Sequence, residues 1–330
     1  MRKLFIGVLA ATAFAAAPAV AQDKFNLTLA GASPGGLWSA LGAGLDKTLA
    51  KAYPGSTVTY QTGGGGLANA KLVQDKKVPM GLAVDPELAW GYRGIGPYKG
   101  KPQKDLRVLL RVYSAESRFQ YMHVLINGDV AKQYGIKTMD DVKKHQKNLR
   151  VAFNRPGNID GEIGIASFTK SGVDIKPFKQ AVRAASQEMT SLMQDRRIDM
   201  QVFGISFNHA RIRELDKGIP LNMIGLSQKA VDAMIADFGG KACTIKASEY
   251  KFIQEDKLSH CVGGVVMVHK DMPDETAYKI VKGVLTNIDT FRSAHRALQK
   301  ATTPQSLAEG SVAPHHPGAL KAYREAGLAK

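Results

Sequence analysis

Past its first two dozen residues, the chain has no apolar run long enough to cross a bilayer. It carries two cysteines in 330 residues and few aromatics, 7% of the total. Acidic side chains are also scarce, with 29 Asp and Glu against 45 Lys and Arg, a net charge of +16. The familiar catalytic signatures are missing. No phosphate-loop lysine follows the glycine run, and there is no Gly-x-Ser-x-Gly elbow and no His-Glu-x-x-His helix. No nucleophile, base and orienter assemble in the sequence, so no catalytic residue, cofactor or metal site is expected. The basic residues are dispersed, with no tight Lys/Arg run among aromatics, which speaks against nucleic acid as a partner. A dispersed positive surface instead favours anionic solutes and acidic partners.

What is present begins with a leader. Arg2 and Lys3 precede an apolar run from Leu4 to Ala17, and Ala19-Val20-Ala21 forms a small-residue cleavage site. Residues 1–21 therefore read as a signal peptide cut near Ala21, leaving 309 of the 330 residues in a periplasmic compartment. Loss of Arg2 and Lys3 lowers the charge of +16 by two, to +14. In an oxidising compartment Cys243 and Cys261 read as one disulfide, with two buried free thiols as the alternative.

Two glycine-rich breaks dominate the N-terminal part, each feeding a helix. Gly31-Ala32-Ser33-Pro34-Gly35-Gly36 precedes Leu37, Leu41, Leu45 and Leu49, and Thr62-Gly63-Gly64-Gly65-Gly66 precedes Leu67, Asn69 and Leu72. A helix start presents unpaired N–H groups and the positive end of the dipole, and glycine lets a ligand approach them. The plainer reading of the first break is a strand-to-helix turn that needs glycine anyway. Four glycines in succession sacrifice more chain entropy than such a turn requires.

The pattern predicts strands at Phe25–Leu29, Thr57–Gln61 and Met80–Val84, separated by helices from Leu37 and Leu67, which is a β-α-β-α-β unit. Strands at Leu106–Tyr113 and Gln120–Ile126 follow, the second expected to cross between lobes. A further series of strands runs through Leu149–Phe153 and Met200–Phe203. The cysteines fall in an irregular stretch, and Val262–Val268 is the expected return crossing. Pro273 opens a long amphipathic helix. The fold class is α/β: a two-lobed, type II-like periplasmic solute-binding fold of mainly parallel sheets flanked by helices, with two crossing strands at the hinge. Residues 22–118 with 262–330 would form lobe 1, and 119–261 lobe 2.

In open parallel sheets ligands sit beyond the carboxyl ends of the strands. Four helix starts at strand ends then converge on one cleft: those after Gly31, Thr62, Pro156-Gly157-Asn158 and Gly204–Asn208. The candidate ligand-binding residues are Ser33, Trp38, Thr62, Gly63, Gly64, Asn69, Asp85, Arg155, Asn158 and Asn208. Arg155 offers a bidentate fork to a carboxylate, or pairs with Asp160 or solvent. Ser33, Thr62 and Asn69 offer ligand contacts or helix caps. Trp38 is a pocket wall or core. Asp85 holds a ligand ammonium or hydroxyl, or caps the helix ahead of Pro86. Arg111 and Arg118 read as a solvated basic face, His123 as a core histidine, and His315-His316 as a proline-braced surface turn.

These residues resemble the solute receptors of TRAP-type transporters, specifically the TAXI family. The likeness runs through Gly31–Ala43, Thr62–Asn69, Met80–Trp90, Arg150–Lys170 and Asp195–Phe203. It closes on Val312-Ala313-Pro314-His315-His316-Pro317-Gly318-Ala319 ahead of Tyr323–Gly327. The resemblance implies a two-lobed, hinge-closing receptor that delivers its solute to TRAP-type membrane permease subunits; the solute is expected to be a small anion and the receptor a monomer. Its members are associated with dicarboxylates and acidic amino acids. The chain departs from the family pattern at Ala83-Val84-Asp85-Pro86, at Arg155–Asp160 and after Phe203, so the usual ligand does not transfer automatically. Two rivals remain: a sensor serving a signalling partner, and an enzyme on the same fold drawing on Asp85, Asp160 or His209.

Overall fold

The computed structural model describes residues 24–32, 37–156, 158–207, 209–296 and 298–330. The leader, Ser33 and Asn208 lie outside them.

The N-terminal half of lobe 1 alternates β1 (Asn26–Ala30), α1 (Leu37–Ala52), β2 (Thr57–Gln61), α2 (Gly66–Gln74), β3 (Met80–Val84) and α3 (Asp85–Arg93), then β4 (Leu106–Tyr113). Leu41, Leu45 and Leu49 put one stripe of α1 in the core, as their four-residue spacing requires. The chain then enters lobe 2: β5 (Gln120–Asn127), α4 (Gly128–Tyr134), α5 (Met139–His145), β6 (Arg150–Phe153), α6 (Ile159–Lys170) and β7 (Gln180–Arg183). It continues with α7 (Ser186–Gln194), β8 (Met200–Ser206), α8 (Ala210–Gly218), β9 (Leu221–Met223), α9 (Gln228–Phe238), β10 (Lys241–Ile245) and β11 (Lys257–Val262). β12 (Gly264–His269) and the long helix α10 (Asp274–Thr286) return to lobe 1. Among the described residues no helix is long and apolar enough to cross a membrane.

The strand order is β2-β1-β3-β12-β4 in one sheet and β10-β11-β5-β8-β6-β7 in the other, with β9 beside β5. The sheets are mixed rather than mainly parallel. β1 runs parallel to β2 and β3, but β12 is antiparallel to both β3 and β4. In lobe 2, β6 is parallel to β7 and β8, while β5 is antiparallel to β8, β9 and β11. The reversed strands include β5 and β12, the first strand after each crossing of the hinge, whereas β4 and β11, by which the chain leaves, run with most of their sheets; β10 is also reversed, as the hairpin-like partner of β11.

The crossings are shorter than the sequence suggests. β5 lies wholly within the second sheet, and the outward crossing is the segment between Tyr113 and Gln120. On the return, a single residue, Gly263, separates β11 from β12. The stretch expected to be irregular is an antiparallel pair, and the Cys243–Cys261 disulfide joins its two strands, with Cα atoms 5.8 Å apart.

Candidate functional site

A cavity of about 570 Å³ opens between the lobes. Lobe 1 lines it with Ala32, Trp38, the backbone of Gly63, Gly64 and Gly65, Leu67, Val84 and Glu87. Lobe 2 contributes Arg155, Pro156, Asn158, Ile159 and Asp160, and Gln120, the first residue of β5, lines it as well.

On the lobe 1 side β3 ends at Val84 and α3 starts at once. Glu87 folds back in a capping arrangement, and its Oε2 accepts the Val84 N–H at 3.0 Å. Its other oxygen accepts the Gly66 N–H at the start of α2 at 3.1 Å, and the Leu67 N–H also bonds this carboxylate. One acid thus serves the openings of two helices. A Cβ on Gly66 would collide with the Glu87 carboxylate, which is why the tetraglycine ends in glycine. Gly65 adopts φ +84°, a conformation that favours glycine. The acceptor that meets the N–H groups at this helix start is therefore the protein's own carboxyl.

On the lobe 2 side, α6 begins after β6 with Asn158 as its cap, the carboxamide accepting the Asp160 N–H at 2.9 Å. Arg155 is exposed to the cavity, and its backbone carbonyl accepts from Arg183 Nη2 at 3.1 Å. Arg183 also bonds Glu162, which fixes the loop beneath the guanidinium. Asp160 projects toward Gly204, where a Cβ would stand 3.0 Å from its Oδ1.

Burial pushes the Glu87 carboxyl up to about 7, with the Asp160 charge adding to the rise and the Val84, Gly66 and Leu67 N–H groups opposing it. Burial likewise pushes Asp160 up to about 7, tempered by Arg211. The wall is thus not purely cationic: beside Arg155 it carries two acids whose burial favours their neutral forms. Trp38 is held by its indole N–H, which donates to the Tyr113 hydroxyl, and Tyr113 in turn donates to Gln120 Oε1 at 2.9 Å. That chain ties α1 of lobe 1 to the first strand of lobe 2.

Trp38, Gly63, Gly64, Arg155 and Asn158 therefore meet around one space. Thr62 is exposed just before the wall and does not line it. Asn69 is fully buried behind the wall, its Nδ2 donating to Ala30 O at 3.1 Å and Leu82 O at 2.8 Å, which laces β1 to β3. Asp85 points into the hinge instead. It accepts both terminal nitrogens of Arg111 at 3.0 Å, the Gly263 N–H at 2.7 Å and the Ser311 hydroxyl at 3.0 Å. It borders a separate cavity of about 340 Å³, shared with Arg111, Lys241 and Glu309.

Arg111 is consequently buried and not part of a solvated face, because Asp85 and Glu309 compensate its charge. Arg118 is paired as well, to Glu249 and the Thr244 carbonyl. His123 is a core residue between Tyr121 O and the Tyr250 hydroxyl, and burial lowers its pKa to about 3. His316 is not a surface residue: it is fully buried and caps the closing helix Pro317–Glu325 through the Gly318 N–H. Among the described residues no cluster of three His, Cys, Asp or Glu could hold a metal ion.

In the sequence neither Glu87 nor Gln120 stands out as a wall residue, and Asp160 reads only as an Arg155 partner or an enzymatic acid. The one available signal was Glu87 three residues beyond the end of an apolar strand, the spacing of a reciprocal cap.

The NMT1-like family model matches residues 29–327. Solved structures share the fold at low identity. PhnD1 from Prochlorococcus marinus, in complex with methylphosphonate, superposes with TM-score 0.55 at 13% identity, covering 92% of this chain and 98% of that one. A TctC solute-binding protein from Polaromonas gives TM-score 0.52 at 14% identity, covering 91% of this chain and 95% of its own. The periplasmic binding protein BugD gives 0.51 at 14% identity, covering 91% and 93%. Such identities establish a common two-lobed α/β architecture.

Proposed function

The chain belongs to the NMT1-like family, and from that premise we propose that it is a periplasmic solute receptor that captures a small carboxylate between its lobes. The reading extends to a TAXI-type receptor, monomeric, that passes its guest to the membrane subunits of a TRAP-type permease. The solute class is a dicarboxylate, keto acid or acidic amino acid, with Arg155 receiving a carboxylate in bidentate fashion.

The observation that carries this reading is the 570 Å³ cavity walled by both lobes, with Arg155 on its surface. A guest there touches both halves of the molecule, so binding favours the closed arrangement. The Trp38–Tyr113–Gln120 chain gives closure a fixed wall to close upon. Delivery to a permease rather than to a signalling partner rests on the resemblance to transport receptors.

A thermal-shift screen of carboxylates tests the proposal, because a binder stabilises the native state by mass action. Dicarboxylates, keto acids and amino acids are the panel, with Arg155→Ala as the comparison. Stabilisation by a carboxylate that the variant loses supports the reading, and a flat panel rejects it. Recovery of the guest unchanged after incubation separates a receptor from an enzyme drawing on the Asp160 and Glu87 carboxyls.

A further inference from the structure

Two acids line the cleft, and their surroundings differ. Glu87 is met by the Val84, Gly66 and Leu67 N–H groups. The Asn158 cap takes the main-chain N–H of Asp160, but among the described residues its carboxyl makes no hydrogen bond or ion pair. Arg155 is in the same position: its main chain bonds Asn154 and Arg183, and its guanidinium bonds nothing among those residues. Both flank the opening of α6 and line one cavity, yet they do not neutralise each other. Asp160 Oδ1 lies beside Gly204, which lines an adjoining chamber of about 480 Å³.

A wall with one unpaired charge of each sign complements a guest that carries both. Asp160 is half-buried, and burial raises its pKa to about 7 against the opposing charge of Arg211, so its ionised form lacks compensation until a cation arrives. An ammonium supplies that charge together with N–H donors. A keto oxygen at the same place is met only by the protonated acid, through a single hydrogen bond, and a methylene offers nothing. A second acidic group on the guest has donors in the adjoining chamber, which shares Ala32, Trp38 and Gln120 with the cleft and adds Ser206 and His209. His209 Nδ1 accepts the Arg211 N–H at 3.2 Å, which leaves the proton of the neutral ring on Nε2, free to donate.

We propose that Asp160 is the specificity-determining residue of the cleft, receiving the ammonium of an acidic amino acid whose main carboxylate lies at Arg155. This narrows the carboxylate-receptor reading above to its amino-acid member and rests on it. Asp160 then separates amino acids from keto acids and plain diacids of the same length, which Arg155 alone would treat alike.

Isothermal titration with matched probes tests it: glutamate against 2-oxoglutarate and glutarate, and aspartate against succinate, on wild type, Asp160→Asn and Asp160→Ala. The comparison within the wild type requires no variant to fold, and loss of a carboxyl without partners should leave the fold intact in both variants. The expected result is that glutamate or aspartate binds at least tenfold tighter than its counterparts. Both variants should lose that margin by weakening the amino acid while leaving the diacids bound as before. A keto acid or diacid that binds as tightly as the amino acid, with Arg155 dependence, overturns the ammonium assignment and leaves the receptor reading standing. A margin that survives in both variants also overturns it, because another group then holds the ammonium. Failure of every probe to bind rejects both readings together.

Discussion

The Glu87 carboxylate occupies the space that a side chain on Gly66 would need, and the Gly66 N–H donates to it at 3.1 Å. The pair explains the tetraglycine through packing: a buried acid must reach the main chain at the start of a helix. A ligand is not required at that point. On the proposed reading, an anion in the cleft is met by Arg155 and the α6 side.

Gly66→Ala forces the Glu87 carboxylate away from its N–H donors and also crowds Ala83 Cα, which a Cβ would approach to 3.0 Å. Stranding a buried acid and its donors should cost about 2–4 kcal/mol. Gly63→Ala, whose Cβ would meet Gly31 O at an ordinary 3.5 Å, should stay within about 0.5 kcal/mol. Urea unfolding of the two variants checks the contrast.

The hinge pair gives the second prediction. Arg111 and Asp85 are both buried, bonded through two contacts of 3.0 Å, and Asp85 also holds the Gly263 N–H at the return crossing. Arg111→Met leaves a buried carboxylate uncompensated, at a cost of about 3–5 kcal/mol. Asp85→Asn combined with Arg111→Met should cost less than the two single changes added together. A double-mutant cycle in urea measures the coupling.

Stability should fall as pH rises through neutrality. The folded pKa values of Glu87 and Asp160 are raised to about 7 from 4.5 and 3.8. Between those limits the native state holds protons that the unfolded chain has lost. Their contribution is full below the unfolded values and is lost as pH passes about 7. His123, lowered from 6.5 to about 3, works in the opposite direction, as do His209, His260, His315 and His316, all lowered by burial. Their contribution is lost as pH falls below 6.5. The melting temperature should therefore peak in the mildly acidic range, and Asp160→Asn should flatten the decline from pH 6 to 8. A steep decline that survives in both Asp160→Asn and Glu87→Gln would assign it to other groups.

The disulfide lies within lobe 2, joining β10 to β11, and spans no hinge. Reduction should lower stability by about 3 kcal/mol through the unfolded state. It should leave guest affinity unchanged. Titration before and after dithiothreitol treatment, together with melting curves, tests both halves of the statement.

The sequence made the α/β rhythm of lobe 1 readable because glycine and proline punctuate short apolar runs there, as at Gly31, Pro54 and Thr62–Gly66. It also pointed to Trp38, Gly63, Gly64, Arg155 and Asn158, since each stands at a strand end or at a helix opening. Strand direction was not readable: Val262–Val268 looks the same whether it runs with or against its neighbours. Buried polar partners separated by long stretches of chain were equally hidden. Arg111 lies in the apolar run Leu106–Tyr113, and its partner is 26 residues away on another element. Asn69 and Asp85 have the chemistry of ligand contacts, and only the packing of β1 against β3 and the position of Gly263 assign them elsewhere. The apolar surroundings of Arg111 were the clue that its charge had to be met inside the fold.

The central claim is that one guanidinium, on the lobe 2 wall of a shared cleft, receives the acidic group of a small guest. Isothermal titration of the strongest carboxylate from the screen, on wild type, Arg155→Ala and the surface control Arg196→Ala, tests it most directly. The account predicts at least tenfold weaker binding in Arg155→Ala and unaltered binding in Arg196→Ala. Equal affinity in all three proteins would contradict it.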